Sequence, residues 1–287
     1  MEISEQNITV QGARVYYQTC GARGKQTLLF FHGWPGYLLE KSGVLQTLAQ
    51  YFFVIAPAHP GLRKSDPLPT YEDIFKQYAV VAHHIVEKEG CDREQIIVMG
   101  QSFGGGVASA YVEHYPETTR ALILTDSTMG ASRRDWWSHA LFGYGGMLIS
   151  VLPYLPRFLQ RKILFMVYGV TVDDKNTWPS VEKTFPNRIA MVQNFTAILN
   201  QSKNSGVMVI DRPYGDFPIL FLWGDRDGKE FNMYGYCPVD DADALYKKLK
   251  KQGRNIQFTT VHGGHTILYR QPKYVIGEIM RCLSTLL

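Results

Sequence analysis

Short apolar runs alternate with longer amphipathic segments along most of this chain. Residues 8–17 alternate between apolar and polar side chains about a glycine, which predicts an antiparallel hairpin. Further strands are predicted at residues 27–31, 52–56, 96–99, 121–125, 217–223 and 257–261, most of them continuously apolar, as strands buried on both faces are. Helices are predicted at residues 38–50, 71–89, 107–112, 242–252 and 271–286. Strands that alternate with helices predict an α/β fold, a mostly parallel twisted sheet with helices on both faces.

This alternation is interrupted between residues 127 and 213. That segment contains Trp, Tyr, Met, Pro and short helical patterns, but no succession of strand and helix. The chain has 287 residues, which suits one α/β domain with an insertion. We therefore expect residues 1–126 and 214–287 to form the core and residues 127–213 to form a mainly helical insertion.

Composition narrows the range of partners. The net charge of +4 is modest and the basic residues of the chain are dispersed, so we expect no nucleic-acid partner. The chain start has neither a basic cluster nor an apolar run, so no signal peptide is expected. The four cysteines are far apart in the sequence, which indicates free thiols and a reducing, cytoplasmic compartment: Cys20, Cys91, Cys237 and Cys282.

The most informative stretch is Gly100-Gln101-Ser102-Phe103-Gly104, between a predicted strand and an alanine-rich amphipathic segment. This is the strand–turn–helix context of a nucleophile elbow. The two glycines remove side chains where the strand and helix approach each other. The following helix start offers free backbone N–H groups and the positive end of its dipole beside Ser102, and both favour the negative charge that acyl transfer develops.

Other polar residues follow other predicted strands. Ligands of an open α/β sheet bind beyond the carboxyl ends of its strands, so residues there share one rim: His32, Ser102, Asp126, Asp227 and His265. A serine hydroxyl needs a base within about 2.6–3.2 Å, and that base needs an orienting partner. Histidine suits the base and a carboxylate suits the partner. The chain offers them in the order Ser102, Asp227, His265, and His262 is a rival base.

These residues resemble the α/β-hydrolase fold family, in its cap-bearing serine hydrolase and esterase branch. The resemblance covers residues 8–126 and 214–287 and rests on four motifs: His32-Gly33-Trp34-Pro35-Gly36, the Ser102 elbow, Gly224-Asp225-Arg226-Asp227, and Gly264-His265 before Gln271-Pro272.

The resemblance implies a catalytic set and an oxyanion hole. The fourth residue of the acid turn is the family's usual acid, which gives Ser102, Asp227 and His265, with Asp225 and Asp126 kept as alternative acids. The oxyanion hole is implied to be the backbone N–H groups of Trp34 and Phe103. His32 is expected to be a scaffold residue that hydrogen-bonds its loop.

The insertion is then expected to be a cap over the pocket. No Asp, Glu, Lys or Arg occurs from Trp136 to Pro156, and a lining of apolar side chains would select an apolar acyl or alcohol group. We expect the substrate to contact Trp136, Trp137, Phe142 and Met147. Three glycines and two prolines argue against a membrane span in this stretch, while contact with a membrane surface is the alternative to the cap.

We therefore predict a serine hydrolase that cleaves small, apolar carboxylic esters through an acyl-enzyme intermediate, without a metal or cofactor. The Trp34-Pro35 pair resembles epoxide hydrolases and haloalkane dehalogenases, but those relatives use an aspartate nucleophile and this chain has Ser102. The alternatives are C–C bond hydrolysis, amide or peptide cleavage and perhydrolysis by the same three residues, or a ligand receptor with little turnover. The sequence does not decide the oligomeric state.

Overall fold

The computed structural model describes residues 2–33, 36–69, 73–91, 95–127, 155–156, 158–159, 215–227 and 239–287. The described part is built around one eight-stranded sheet: β1 Ile3–Val10, β2 Ala13–Cys20, β3 Thr27–Phe31, β4 Phe53–Pro57, β5 Ile96–Gln101, β6 Thr119–Thr125, β7 Ile219–Gly224 and β8 Ile256–Val261. The helices in these ranges are α1 Tyr37–Ser42, α2 Val44–Leu48, α3 Ile74–Lys88, α4 Phe103–His114, α5 Val239–Lys251, α6 Ile267–Arg270 and α7 Pro272–Leu286, with a short 3₁₀ turn at Pro116–Thr118.

The spatial order of the strands is β1-β2-β4-β3-β5-β6-β7-β8. The pairs β1/β2 and β2/β4 are antiparallel, and all pairs from β4 to β8 are parallel. The predicted mostly parallel sheet is therefore confirmed. The carboxyl ends of β3, β5, β6, β7 and β8 lie along one edge, where the candidate residues follow their strands.

Both faces of the sheet are buried, which explains the continuous apolar runs. Along β3, Leu29 packs in one core cluster with residues of α3, α4 and α5, whereas its neighbours Leu28 and Phe30 pack in the other cluster with residues of α2 and α7. Successive strand side chains point to opposite faces, so a strand covered on both sides must be apolar at every position.

Several predicted element boundaries are corrected by the structure. The helix predicted at residues 38–50 is divided into α1 and α2 at Gly43, whose φ of 71° lies in the left-handed region. The helix predicted from residue 71 begins at Ile74, because the Asp73 side chain accepts a hydrogen bond from the Lys76 N–H and caps it. The first hairpin strand begins at Ile3 rather than residue 8, since its polar residues lie on the exposed edge of the sheet.

The division into a core and a cap stays a prediction. Nearly all of residues 127–213 lie outside the described residues. Among the described helices, none is both long and apolar enough to cross a membrane.

Candidate active site

Ser102 occupies a strained backbone position between β5 and α4. Its φ of 51° and ψ of −123° lie outside the regions that a residue with a side chain prefers. Its N–H donates to the Thr125 carbonyl oxygen at 3.1 Å, and its own carbonyl oxygen accepts from the Gly105 N–H at 2.9 Å. Hydrogen bonds on both sides of the turn therefore hold a conformation that is unfavourable for serine. Strained residues of this kind cluster at functional sites.

The two glycines of the elbow are required by close backbone contacts. A Cβ added to Gly104 would lie 2.1 Å from the Phe31 carbonyl oxygen, and one added to Gly100 would lie 2.4 Å from the Gly104 carbonyl oxygen. Real Cβ atoms essentially never approach so closely. The glycines thus allow α4 to begin directly against β3 and β5, as the sequence pattern predicted.

The loops after β7 and β8 dock onto each other. The Asp225 N–H donates to the Val261 carbonyl oxygen at 2.9 Å, and the Arg226 N–H donates to the Gly263 carbonyl oxygen at 2.9 Å. A Cβ on Gly224 would lie 2.5 Å from that same Gly263 oxygen. This docking brings the turn that carries Asp227 against the loop that carries His265.

The three leading candidates form one hydrogen-bonded row. His265 Nε2 lies 2.8 Å from Ser102 Oγ, and His265 Nδ1 lies 2.9 Å from Asp227 Oδ2. Asp227 is fully buried and His265 is 6% exposed. A carboxylate only accepts, so Nδ1 carries a hydrogen toward Asp227 and the neutral ring presents the lone pair of Nε2 to the serine hydroxyl. The arrangement can remove a proton from Ser102 and hold it on His265.

The rival residues have different surroundings. The Asp225 carboxylate is half-exposed, lies 3.1 Å from His262 Nδ1 and accepts from the Gly263 N–H at 3.0 Å. That pair lies on the outer side of the loop, and His262 is exposed. The geometry therefore places Asp227 and His265, and not Asp225 and His262, beside Ser102.

Asp126 does not bond to His265. One of its carboxylate oxygens, Oδ1, accepts from the Gly224 N–H at 2.8 Å, and its carboxyl group is a neighbour of that of Asp227. Burial, followed by the charge of Asp227, raises the pKa of Asp126 well above its usual value. Asp225 and Asp126 thus have other hydrogen-bond partners. Of the three candidate acids, Asp227 is the one that contacts the imidazole.

Only one half of the implied oxyanion hole is described. Phe103 is the first residue of α4, where backbone N–H groups have no partner within the helix. Trp34 lies outside the described residues, as do the four expected substrate contacts, Trp136, Trp137, Phe142 and Met147.

The base of the Trp34 loop is a buried histidine pair. His32 Nδ1 lies 2.8 Å from the Gly33 carbonyl oxygen, and His59 Nε2 lies 2.8 Å from the His32 carbonyl oxygen. Burial lowers the pKa of both rings, that of His59 to about 4, so both are neutral near pH 7. His32 hydrogen-bonds its own loop, as expected of a scaffold residue, and neither histidine is hydrogen-bonded to Ser102.

Two further residues that the sequence did not single out tie the site loops together. Gln101 Nε2 donates to the His265 carbonyl oxygen at 3.1 Å, and the Tyr269 hydroxyl accepts from the Gly33 N–H at 3.1 Å. Gln101 precedes the nucleophile and Tyr269 follows the candidate base by four residues. Their closeness in sequence to Ser102 and His265 was the only indication in the sequence. Closeness alone does not tell a residue that hydrogen-bonds a site loop from one that only packs in the core.

The described residues contain no cluster of three or more His, Cys, Asp or Glu side chains that could hold a metal ion. The chemistry that this geometry offers is nucleophilic attack by an activated hydroxyl.

Comparison with known proteins agrees with the observed fold. Residues 26–161 match the model of a family described as the alpha/beta hydrolase fold. The chain has the α/β-hydrolase fold. Among curated relatives, the soluble epoxide hydrolase of Corynebacterium sp. (strain C12) is 29% identical over 130 residues, 45% of this chain and 43% of that protein. The uncharacterized hydrolase YugF of Bacillus subtilis (strain 168) is 22% identical over 282 residues, 94% of each chain.

Solved structures show the same fold for this chain. The epoxide hydrolase CorEH has a TM-score of 0.71 at 21% identity and covers 100% of both chains. A thermophilic esterase from Thermogutta terrifontis has a TM-score of 0.68 at 18% identity and covers 99% of both chains. This chain therefore shares the fold of hydrolases that are named for different substrates, an epoxide and an ester.

Proposed function

We propose that this protein is a serine hydrolase that cleaves carboxylic esters with hydrophobic groups through an acyl-enzyme intermediate. The observation that carries the proposal is the 2.8 Å separation of Ser102 Oγ and His265 Nε2, in a row that ends on the buried Asp227. A serine hydroxyl is a weak nucleophile unless an adjacent base removes its proton as it attacks.

The first half-reaction forms the acyl-enzyme. Ser102 Oγ attacks the ester carbonyl carbon while its proton moves to His265 Nε2, and the carbonyl π electrons move to oxygen. The imidazolium is stabilised by the Asp227 carboxylate at 2.9 Å. When the tetrahedral intermediate collapses, the bond to the alcohol oxygen breaks and His265 donates the proton to that oxygen. The alcohol departs and the acyl group stays on Ser102.

The second half-reaction uses water. His265 Nε2 accepts a proton from the water as the water oxygen attacks the acyl carbon. His265 then donates that proton to Ser102 Oγ as the bond between Oγ and the acyl carbon breaks and the acid leaves. In this proposal the Phe103 N–H, at the start of α4, donates to the developing oxyanion, with the Trp34 N–H as the expected second donor. Removal of one such donor from an oxyanion hole costs about 3–4 kcal/mol of transition-state stabilisation in other enzymes.

Ser102 also argues against epoxide cleavage, although epoxide hydrolases are among the relatives. Attack on an epoxide carbon by a carboxylate forms an ester, which water can then hydrolyse. Attack by a serine hydroxyl would form an ether, and general-base catalysis does not hydrolyse an ether. Turnover of an epoxide by covalent catalysis would therefore stop at the alkylated serine.

The preference for hydrophobic groups rests on the sequence of the expected cap. The stretch Trp136–Pro156 carries no Asp, Glu, Lys or Arg and is rich in aromatic and aliphatic residues. An apolar lining would exclude water and favour apolar acyl or alcohol groups.

Ser102→Ala and its matched control, Ser127→Ala, test the proposal. The purified chains are assayed on p-nitrophenyl esters of increasing acyl length and labelled with a fluorophosphonate. The wild type should hydrolyse the esters and be labelled at Ser102, and Ser102→Ala should lose both. Ser127→Ala should keep both, because the buried Ser127 hydroxyl makes no hydrogen bond within the described residues.

Ester turnover above a few per cent in Ser102→Ala would reject the mechanism. Labelling of Ser102 without turnover of any ester would reject the ester assignment, and would direct the search to amides, C–C bonds or peracid formation. A wild type that is neither labelled nor active would favour a ligand receptor on a hydrolase fold.

A further inference from the structure

We propose that Asp126 is a positioning residue that keeps its proton and donates it in a hydrogen bond to Asp227, so that the row Ser102–His265–Asp227 has a fourth member. The inference rests on the proposed function, since it concerns how the acid of that reaction is held.

The described hydrogen bonds leave one oxygen of each carboxyl group in need of a partner. Asp227 Oδ2 lies 2.9 Å from His265 Nδ1, and Asp126 Oδ1 accepts from the Gly224 N–H. Both Asp227 Oδ1 and Asp126 Oδ2 are buried and receive no hydrogen from any donor in the described part of the chain. The charge of Asp227 acts directly on Asp126, so the two buried carboxyl groups are neighbours. A single proton between these two oxygens satisfies both.

Charge decides that a proton must be there. Both carboxyl groups are fully buried, and two carboxylates in direct contact cannot both be ionised in such a site at neutral pH. Asp227 faces an imidazole that becomes positive during the reaction, and a negative charge on Asp227 stabilises that imidazolium. Burial and the Asp227 charge raise the pKa of Asp126 well above its usual value, which assigns the proton to Asp126.

Among the residues that the structure describes, no cation lies beside Asp126 to offset a second negative charge. From the turn after β7 it is faced by Asp227, and beyond Asp227, from the loop after β8, by His265. On the side of α4, the first turn carries Phe103 and three glycines, which do not titrate. Within the described residues, Asp227 is thus the charged group that governs Asp126.

The backbone holds Asp126 in a strained position, as it holds Ser102. Asp126 has a φ of 40°, in the left-handed region that L-residues rarely adopt. Its N–H donates to the Leu222 carbonyl oxygen at 3.3 Å, and the N–H of Ser102 donates to the carbonyl oxygen of the preceding Thr125. The adjacent strands β5 and β6 are therefore each followed by a polar residue with a strained backbone, Ser102 after β5 and Asp126 after β6.

Three variants test the proposal: Asp126→Asn, Asp126→Ala and the neighbouring control Ser127→Ala. Asparagine can accept from the Gly224 N–H through its oxygen, donate to Asp227 through its NH₂ group, and tolerate a positive φ. Alanine can do none of these. The readout is kcat/KM for a p-nitrophenyl ester as a function of pH, with circular dichroism as the check on folding.

Asp126→Ala should lower kcat/KM about tenfold or more, because it leaves buried polar groups without a hydrogen-bond partner. It should also move the acid limb of the pH profile upward, because the charge of Asp227 is then no longer shared with a hydrogen bond and attracts the imidazolium more strongly. Asp126→Asn should restore activity to within about threefold and keep the wild-type acid limb, because residue 126 is neutral in both proteins. Ser127→Ala should match the wild type in rate and in pH profile.

Three results would overturn the proposal. An acid limb that moves to lower pH in Asp126→Asn would show that Asp126 is ionised in the wild type. A loss of about 10³–10⁴-fold in Asp126→Asn would make Asp126 the acid itself. Wild-type behaviour of a folded Asp126→Ala would show that the hydrogen bond has no effect on the reaction.

A second measurement separates this proposal from the proposed function. The infrared carbonyl stretch of a protonated carboxyl group, which shifts in D₂O, should be present in the wild type at pH 7 and absent in Asp126→Asn. This band requires no turnover, so it tests the proton assignment even if no ester is hydrolysed. Its absence from the wild type would reject the assignment whatever the activity, and its presence would support the assignment where Asp126→Ala fails to fold.

Discussion

At the scale of single residues, the site shows how surroundings give one residue type different chemical roles. Asp225 and Asp227 belong to the same four-residue turn, yet Asp225 is half-exposed and Asp227 is fully buried against His265. A buried carboxylate beside an imidazole stabilises the imidazolium far more than an exposed one, because water no longer screens the charges. The difference decides which carboxylate can take part in the reaction.

We expect Asp227→Asn to lower kcat for a p-nitrophenyl ester by about 10³–10⁴-fold, since an amide neither stabilises the imidazolium nor selects the required tautomer. Asp225→Asn, the matched change two residues away, should stay within a few-fold of the wild type. Steady-state kinetics at saturating ester measures both. The assignment of Asp227 would be wrong if Asp225→Asn were the more damaging change.

At the scale of secondary structure elements, the start of α4 is shaped by what lies against it. Gly105 is the residue after the elbow motif, and a Cβ there would lie 1.7 Å from Ser127 Oγ and 2.4 Å from Ser127 Cβ. The third glycine of the motif region is therefore explained by a contact with the chain just beyond β6. It lets α4 approach the end of the strand that carries Asp126.

We expect Gly105→Ala to lower the free energy of unfolding by about 1–3 kcal/mol, because the added methyl group overpacks this contact. Ser127→Gly in the same chain should recover most of the loss, since it removes both clashing atoms, and alanine also favours the helix. Ser127→Ala should recover less, because its Cβ remains. Urea denaturation of the single and double variants measures the coupling. Additive effects of the two changes would refute the contact.

At the scale of the whole molecule, the site depends on one edge of the sheet and on the buried groups beneath it. His32 and His59 lie under the loop that follows β3, with ring centroids 4.3 Å apart, and burial keeps both neutral. Unfolding would expose these rings to water, where an imidazole has a pKa of about 6.5. The buried pair therefore links the stability of the fold to pH.

We expect His59 to make the fold less stable in acid. Its pKa is lowered to about 4, so the unfolded chain binds the proton first as the pH falls below about 6.5, and the stabilisation is lost between about pH 6.5 and 4. For this one group the loss amounts to about 3 kcal/mol. His59→Gln keeps a donor for the His32 carbonyl oxygen but does not titrate. The difference in unfolding free energy between wild type and His59→Gln should shrink across this window, and a constant difference would contradict the prediction.

The strands could be predicted because burial on both faces leaves a local mark. Thr27–Phe31 is apolar at every position and is the whole of β3. The predicted ends of the helices were less accurate. At Gly43, for example, a single residue with positive φ divides the predicted helix in two, although the apolar pattern continues across it. The elbow was predictable for a related reason: its glycines are needed by contacts within a few residues of Ser102 and with the neighbouring β3.

The sequence alone determined the strand–helix alternation, the elbow and a short set of polar residues at strand ends, because each depends on local spacing or on burial of one segment. The tertiary structure decided which of these residues meet. The contacts of Asp227 with His265 and of Asp126 with Asp227 join residues 38 and 101 positions apart (265 − 227 and 227 − 126). Such partners depend on how separate loops dock, through backbone hydrogen bonds that leave no pattern in the sequence.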